Sequence, residues 1–224
     1  MTRSGGNRVP AAPQILPTLS EQAERLIKLG VHEIGGLSAA ELRAVAASSD
    51  SEHTLLVMHP DRVPASALAP LLERAGKPGF VVVDMPDVDD FSAIESVVLP
   101  AGPGYFVQNL DRGDAMVNWS PDEALPAIAA AARTPLTLGE GLHWLLQQPG
   151  VLERNHCFMT IGSRLPKANG ALDARTPALW ISNGTGRDGA EHRNAAKVGW
   201  CWAGNRHTWL GFASASMRTR GCQS

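Results

Sequence analysis

The sequence predicts an α+β fold: a helix-rich N-terminal part with a small parallel β-α-β unit, followed by a four-stranded antiparallel sheet rich in tryptophan. Three observations predict it. Up to Gly150 the chain alternates capped helical stretches with short apolar runs, and beyond it reads as strands separated by turns. Charge divides in the same way: residues 1–130 hold 9 Lys+Arg against 17 Asp+Glu, a net of −8, and residues 131–224 hold 11 against 5, a net of +6. Four of the 6 Trp (Trp180, Trp200, Trp202 and Trp209) lie in the last 45 residues. The expected organisation is a disordered arm over 1–17, an acidic α/β lobe over 18–150 and a basic β lobe over 151–224, folding as one cooperative domain.

In chain order, residues 1–17 are rich in Gly, Pro and small polar residues, the composition of a disordered arm. Thr18-Leu-Ser-Glu21 is a capping box, in which hydroxyl and carboxylate each satisfy a backbone N–H, and it opens a helix to about Leu29. Ser38-Ala-Ala-Glu41 repeats the signal for a helix to about Ala47. Thr54–Met58 and Phe80–Val83 are short apolar runs expected as buried strands. Pro64–Arg74, with Leu68, Leu71 and Leu72 at helical spacing, would join them as the crossover of a right-handed β-α-β unit. Gly104–Leu110 reads as a third strand. Ser120-Pro-Asp-Glu123 and Thr137-Leu-Gly-Glu140 open helices to about Ala132 and Gln148. His156–Ser163, Ala178–Ser182, Lys197–Ala203 and His207–Ala213 read as four strands.

Gly204-Asn205 between the last two strands predicts a hairpin in which Trp202 faces His207, Cys201 faces Thr208 and Trp200 faces Trp209. Alternation then puts Val198, Trp200, Trp202, His207 and Trp209 on one face. That face is either core or the wall of a pocket with His207 as its titratable group.

Composition excludes several classes. Cys157, Cys201 and Cys222 are an odd number without C-x-x-C spacing, so no disulfide framework is expected. No apolar run reaches the ~20 residues of a membrane helix, and Met1–Gln14 lacks the apolar core of a signal peptide. A cytoplasmic protein with no membrane partner is expected, and no cofactor or metal. Gly184-x-Gly186-x-x-Gly189 follows a strand but lacks the helix and the later acid of a dinucleotide site. It is expected as a flexible loop, and its charged residues Arg187, Asp188, Glu191, His192 and Arg193 would suit a mobile lid. The acid run Asp84, Asp87, Asp89, Asp90 matches no calcium loop.

Asp111-Arg-Gly-Asp114 with Asn118-Trp119, Glu140-Gly141, Gly162-Ser-Arg164, Pro177–Ser182, Lys197-x-Gly-Trp-Cys-Trp202 and Gly204-Asn205-x-His207-Thr-Trp-Leu-Gly211 resemble the motifs of an uncharacterised, mostly actinobacterial family described only as a domain of unknown function. The resemblance covers roughly residues 19–216. It implies no activity, substrate or cofactor, but it marks Asp111, Arg112, Asp114, Asn118, Glu140, Arg164, Asn205 and His207 as motif residues. Two departures are a longer Asn183–Ala196 loop and Ala215 in place of a Cys. The sequence thus favours a small-molecule or peptide-binding, accessory role. The pocket would lie between the lobes, with Asp111, Arg112, Asp114, Asn118, Arg164, Trp200, Trp202, Asn205 and Trp209 as ligand contacts. The alternative is an enzyme of specialised metabolism using His207 or Glu140 as acid/base. Single-stranded nucleic acid is a lesser alternative, because the arginines of the basic part are dispersed.

Overall fold

A computed structural model describes residues 15–49 and 53–221. Most of the expected arm, including Met1–Gln14, and Cys222 lie outside the described residues. Of the arm, Ile15–Pro17 is held in place: the Ile15 carbonyl accepts from Gln148 Nε2 at 2.8 Å and that of Pro17 from Gln22 Nε2 at 2.8 Å.

The fold is mixed α+β. Its labelled elements are α1 (Leu19–Lys28), α2 (Val31–Ile34), α3 (Ala39–Ala47), β1 (Thr54–Met58), α4 (Ala65–Leu68), β2 (Phe80–Val81), β3 (Gly104–Gln108), α5 (Pro121–Ala130), α6 (Leu138–Gln147), β4 (Cys157–Met159), β5 (Arg175–Ile181), β6 (Ala196–Trp202), β7 (Leu210–Phe212) and β8 (Met217–Arg220). Capping boxes at Thr18/Glu21, Ser38/Glu41, Ser120/Glu123 and Thr137/Glu140 start α1, α3, α5 and α6. No helix among the described residues is long and apolar enough to cross a membrane.

The centre of the molecule is α6, in which nine of ten residues are buried. A helix buried on every side needs packing partners all round, and two sheets supply them. On one side lies the antiparallel sheet β1-β3-β8, with Met58 N–H donating to His143 Nε2 at 3.2 Å. On the other lies the mixed sheet β7-β4-β5-β6-β2. There Gly141 allows close approach: a Cβ would come within 2.6 Å of Thr160 Cγ2 and 2.8 Å of Leu179 Cδ1. Trp144 packs on Phe158 at 5.3 Å. Helix α1 covers β1, where Gln22 bonds the Thr54 carbonyl and the Leu56 N–H, both at 2.8 Å.

Two sequence expectations about pairing are corrected. The expected parallel β-α-β unit does not form between Thr54–Met58 and Phe80–Val83. Strand β1 pairs antiparallel with β3, while β2 joins the other sheet, parallel to β6. The crossover stops short because Pro70 sits in a 3-10 turn after one turn of α4, and the chain then reverses through a small ribbon, Glu73–Arg74 with Lys77–Pro78. Such a connection offers no helix long enough to lie across a sheet.

Nor is there a hairpin at Gly204-Asn205, and the C-terminal sheet is not four-stranded and antiparallel. All four expected strands are in it, but β6 has β5 on one side and β2 on the other, and β7 lies at the far edge, parallel to β4. Trp202 therefore faces Arg175, Cys201 faces Thr176 and Trp200 faces Pro177. Gly204-Asn205 does turn the chain, with Asn205 N–H to the Trp202 carbonyl at 3.0 Å, but it feeds a crossing rather than a return. The single indole face is thereby divided: Trp200 and Trp202 meet edge to face at 4.6 Å, and Trp209 packs against Trp180 at 6.2 Å on the other side of the sheet.

His143 carries a pH dependence. Its Nδ1 donates to the Gly139 carbonyl at 2.8 Å, leaving Nε2 to accept from Met58. Complete burial lowers its pKa from 6.5 to about 4. The unfolded chain therefore takes up this proton at a higher pH than the folded one. The contribution, about 3 kcal/mol, is present above pH 6.5 and is lost as pH falls through about 4. In urea titrations His143→Gln, which keeps an acceptor for Met58, should flatten the decline over that window. An unchanged slope would show that other groups cause it.

Candidate functional site

The residues singled out from sequence lie in separate settings. Glu140 is completely buried at the start of α6. Its Oε1 accepts from Arg218 Nε at 2.6 Å and from the Tyr105 hydroxyl at 3.1 Å, and its Oε2 from the second Arg218 nitrogen at 2.7 Å and Thr137 N–H at 2.8 Å. Burial, and then the adjacent carboxylate, pushes the Tyr105 hydroxyl well above its ordinary pKa, so it donates as a neutral phenol. Four donors thus converge on the two oxygens of a carboxylate with no solvent contact. Arg218, its partner, carried no local signal in the sequence.

Asp111–Asp114 form a knot. The Asp111 carboxylate accepts from Gly113 N–H at 2.8 Å, and Arg112 grips Asp114 through two bonds of 2.8 and 2.6 Å while also donating to the Val151 carbonyl at 2.8 Å. Arg164 donates twice to the Asp173 carbonyl, at 3.2 and 2.6 Å. Asn118, in the left-handed region at φ 68, bonds the His207 carbonyl through its N–H at 2.8 Å. The His207 ring lies 5.4 Å from Trp209, its Nε2 is buried without a partner among the described residues, and burial lowers its pKa. Asn205 is exposed. The two thiols within the described residues, Cys157 and Cys201, are each pushed up to about 11 by burial, which disfavours the reactive thiolate. No group of three or more His, Cys, Asp or Glu among the described residues could hold a metal ion.

A cleft of about 310 Å³ lies elsewhere, between Phe80–Asp84 and the loop that follows β5. Thr185, Arg187, Asp188 and His192 form its loop side, and Lys197 of β6 its floor. None of the residues proposed from sequence as contacts lines it. The loop is docked. Asp188 Oδ1 and Oδ2 take Lys197 Nζ at 2.7 and 2.9 Å, with both side chains largely buried. Ser182 Oγ adds a bond to Asp188 Oδ2 at 2.8 Å. His192 stacks on Phe80 at 4.1 Å, and Arg187 reaches Asp84 at 3.0 Å. Gly184, Gly186 and Gly189 all have φ between 59 and 74, the region where glycine has no Cβ penalty, which is what the three-glycine spacing supplies.

Beyond the floor, Lys197 lies over the Trp180 ring at 4.9 Å. Trp180 in turn covers Gly199, where a Cβ would come within 2.6 Å of the ring. Lys197→Met keeps the apolar stem over Trp180 and strands Asp188 without its cation. A loss of about 1–3 kcal/mol is expected, with faster amide exchange over residues 184–192. Unchanged exchange would show that the ion pair does not hold the loop.

Residues 25–221 match the model of DUF5701, described as a family of unknown function. No curated protein and no solved structure matches the chain.

Proposed function

We propose that this chain, which belongs to DUF5701, the family of unknown function, binds a small molecule or peptide in the cleft between Phe80–Asp84 and the glycine loop. The observation that carries the reading is the lining itself. A segment of the acidic part and a segment of the basic part meet there, with one aromatic stack, one buried ion pair and one exposed ion pair around a concave space. The charges are already matched, Lys197 with Asp188 and Arg187 with Asp84, so the occupant needs no net charge. It would gain affinity from ring contact with Phe80 and His192 and from hydrogen bonds to Thr185 and the strand backbone.

Thr185 is exposed on the loop, so Thr185→Trp fills the cleft without touching the core. Fragments bound by the wild type should no longer bind this variant, while Arg112→Ala and His207→Ala retain them. Retention by Thr185→Trp would put the site elsewhere.

A second reading, an acid/base role for His207, draws on its neutral, partly buried ring with a free Nε2. It predicts that His207→Gln abolishes a turnover that Thr185→Trp leaves intact. Single-stranded nucleic acid is disfavoured, because Arg175 and Arg187 pair with Asp87 and Asp84 and Arg164 with the Asp173 carbonyl.

A further inference from the structure

The cleft beneath the glycine loop has a definite hydrogen-bonding character, and His192 sets it. The Nδ1 of this ring lies 2.6 Å from the Asp188 carbonyl. A carbonyl oxygen only accepts, so Nδ1 carries the ring proton, and the neutral imidazole keeps a lone pair on Nε2. One face of the ring is taken by Phe80, at 4.1 Å and 25°. Nε2 has no partner among the described residues and is not enclosed by them, and the side chain as a whole is 37% exposed. Held at one nitrogen and on one face, His192 presents its other nitrogen as an acceptor at the wall of the cleft.

The remaining side chains tip the same way. Lys197 and Asp188 satisfy each other at 2.7 and 2.9 Å. Asp84 takes Arg187 through Oδ2, which leaves Oδ1 as a second acceptor. The spare N–H groups of Arg187 sit on a side chain that is 76% exposed, at the rim of the cleft rather than inside it. The Thr185 hydroxyl serves as donor or acceptor. Inside the cleft, acceptors therefore outnumber donors. Its volume of about 310 Å³ is at the small end for ligand cavities, the scale of a ring system rather than of a peptide segment.

Resting on the ligand reading of this cleft, we infer that its occupant is a small uncharged aromatic ring system carrying an N–H or NH2 group that donates to His192 Nε2. Indole and benzofuran are the probes, nearly alike in shape and different in whether the ring carries an N–H. The wild-type full chain, titrated with each and followed by NMR, should bind indole about three- to tenfold more tightly, the worth of one neutral hydrogen bond. The His192 Nε2 nitrogen resonance should shift with indole and remain unmoved with benzofuran. His192→Phe keeps a ring on Phe80 but offers no acceptor, and it should bind the two probes equally. Equal affinities in the wild type overturn the inference while leaving the cleft as the site, and so does a preference for indole that survives in His192→Phe. Cleft signals that neither probe moves overturn the ligand reading of the cleft as well.

Discussion

Arg218→Ala is expected to cost about 3–5 kcal/mol of stability, the range found when one partner of a buried ion pair is removed. The Glu140 carboxylate is fully enclosed and the Arg218 side chain 5% exposed, so the truncated protein would keep an anion with neither water nor counter-charge. The guanidinium also bonds Thr134 Oγ1 at 2.7 Å and the Pro135 carbonyl at 2.8 Å, and β8 sits on β3 with Arg218 opposite Val107. One side chain thus ties the C-terminal strand to the central helix. Urea denaturation should show a lower midpoint at unchanged slope. The double variant Glu140→Gln/Arg218→Met should be more stable than Arg218→Ala alone, because the cost lies in the orphaned charge. A single-variant loss below about 1 kcal/mol would mean that water reaches the carboxylate.

Gly113→Ala is expected to cost at least about 3 kcal/mol. Its φ of 78 is left-handed, which alone costs a side-chain-bearing residue roughly 1–2 kcal/mol. A Cβ would also run into the Phe212 backbone, while a Cβ on Gly211 would run into the carbonyl of Arg112. The two segments cross backbone to backbone, and neither has room to yield without moving β7. Gly139→Ala is the control: this helical position has nothing within 4 Å of an added Cβ, and alanine should be neutral or stabilising by about 0.5–1 kcal/mol. Thermal unfolding of the two variants side by side checks both. Equal effects would contradict the close-approach account.

Local chemistry was legible in the sequence, and partner choice was not. Each capping box is a four-residue circuit, so Thr18, Ser38, Ser120 and Thr137 announce their helices without help from the rest of the fold. An apolar run such as Phe80–Val83 says that it will be paired, but nothing in it names β6 rather than β1. The alternation of Trp200 and Trp202 along one strand was readable. Which strand faces them was not, because Gly204-Asn205 turns the chain equally well into a hairpin or a crossing. Asp111-Arg-Gly-Asp114 was legible as a charged turn, and the structure shows it closed on itself.

The cleft was hidden for a different reason. Asp84 reads as a solvated acid, Asp188 as loop charge and Lys197 as one cation in a strand, and only the parallel pairing of β2 with β6 brings the three around one space. Arg218, alone among polar neighbours near the C-terminus, has meaning only once β8 returns to β3.

The proposed ligand site is the cleft beneath the glycine loop. Amide and indole NMR spectra of the full chain, recorded during titration with a library of uncharged aromatic fragments, test it most directly. The account predicts shifts confined to Phe80–Asp84, Thr185–His192, Lys197 and the Trp180 indole, abolished in Thr185→Trp. Shifts centred on Asn118, His207 and Trp209 with the cleft silent, or shifts that persist in Thr185→Trp, would contradict it.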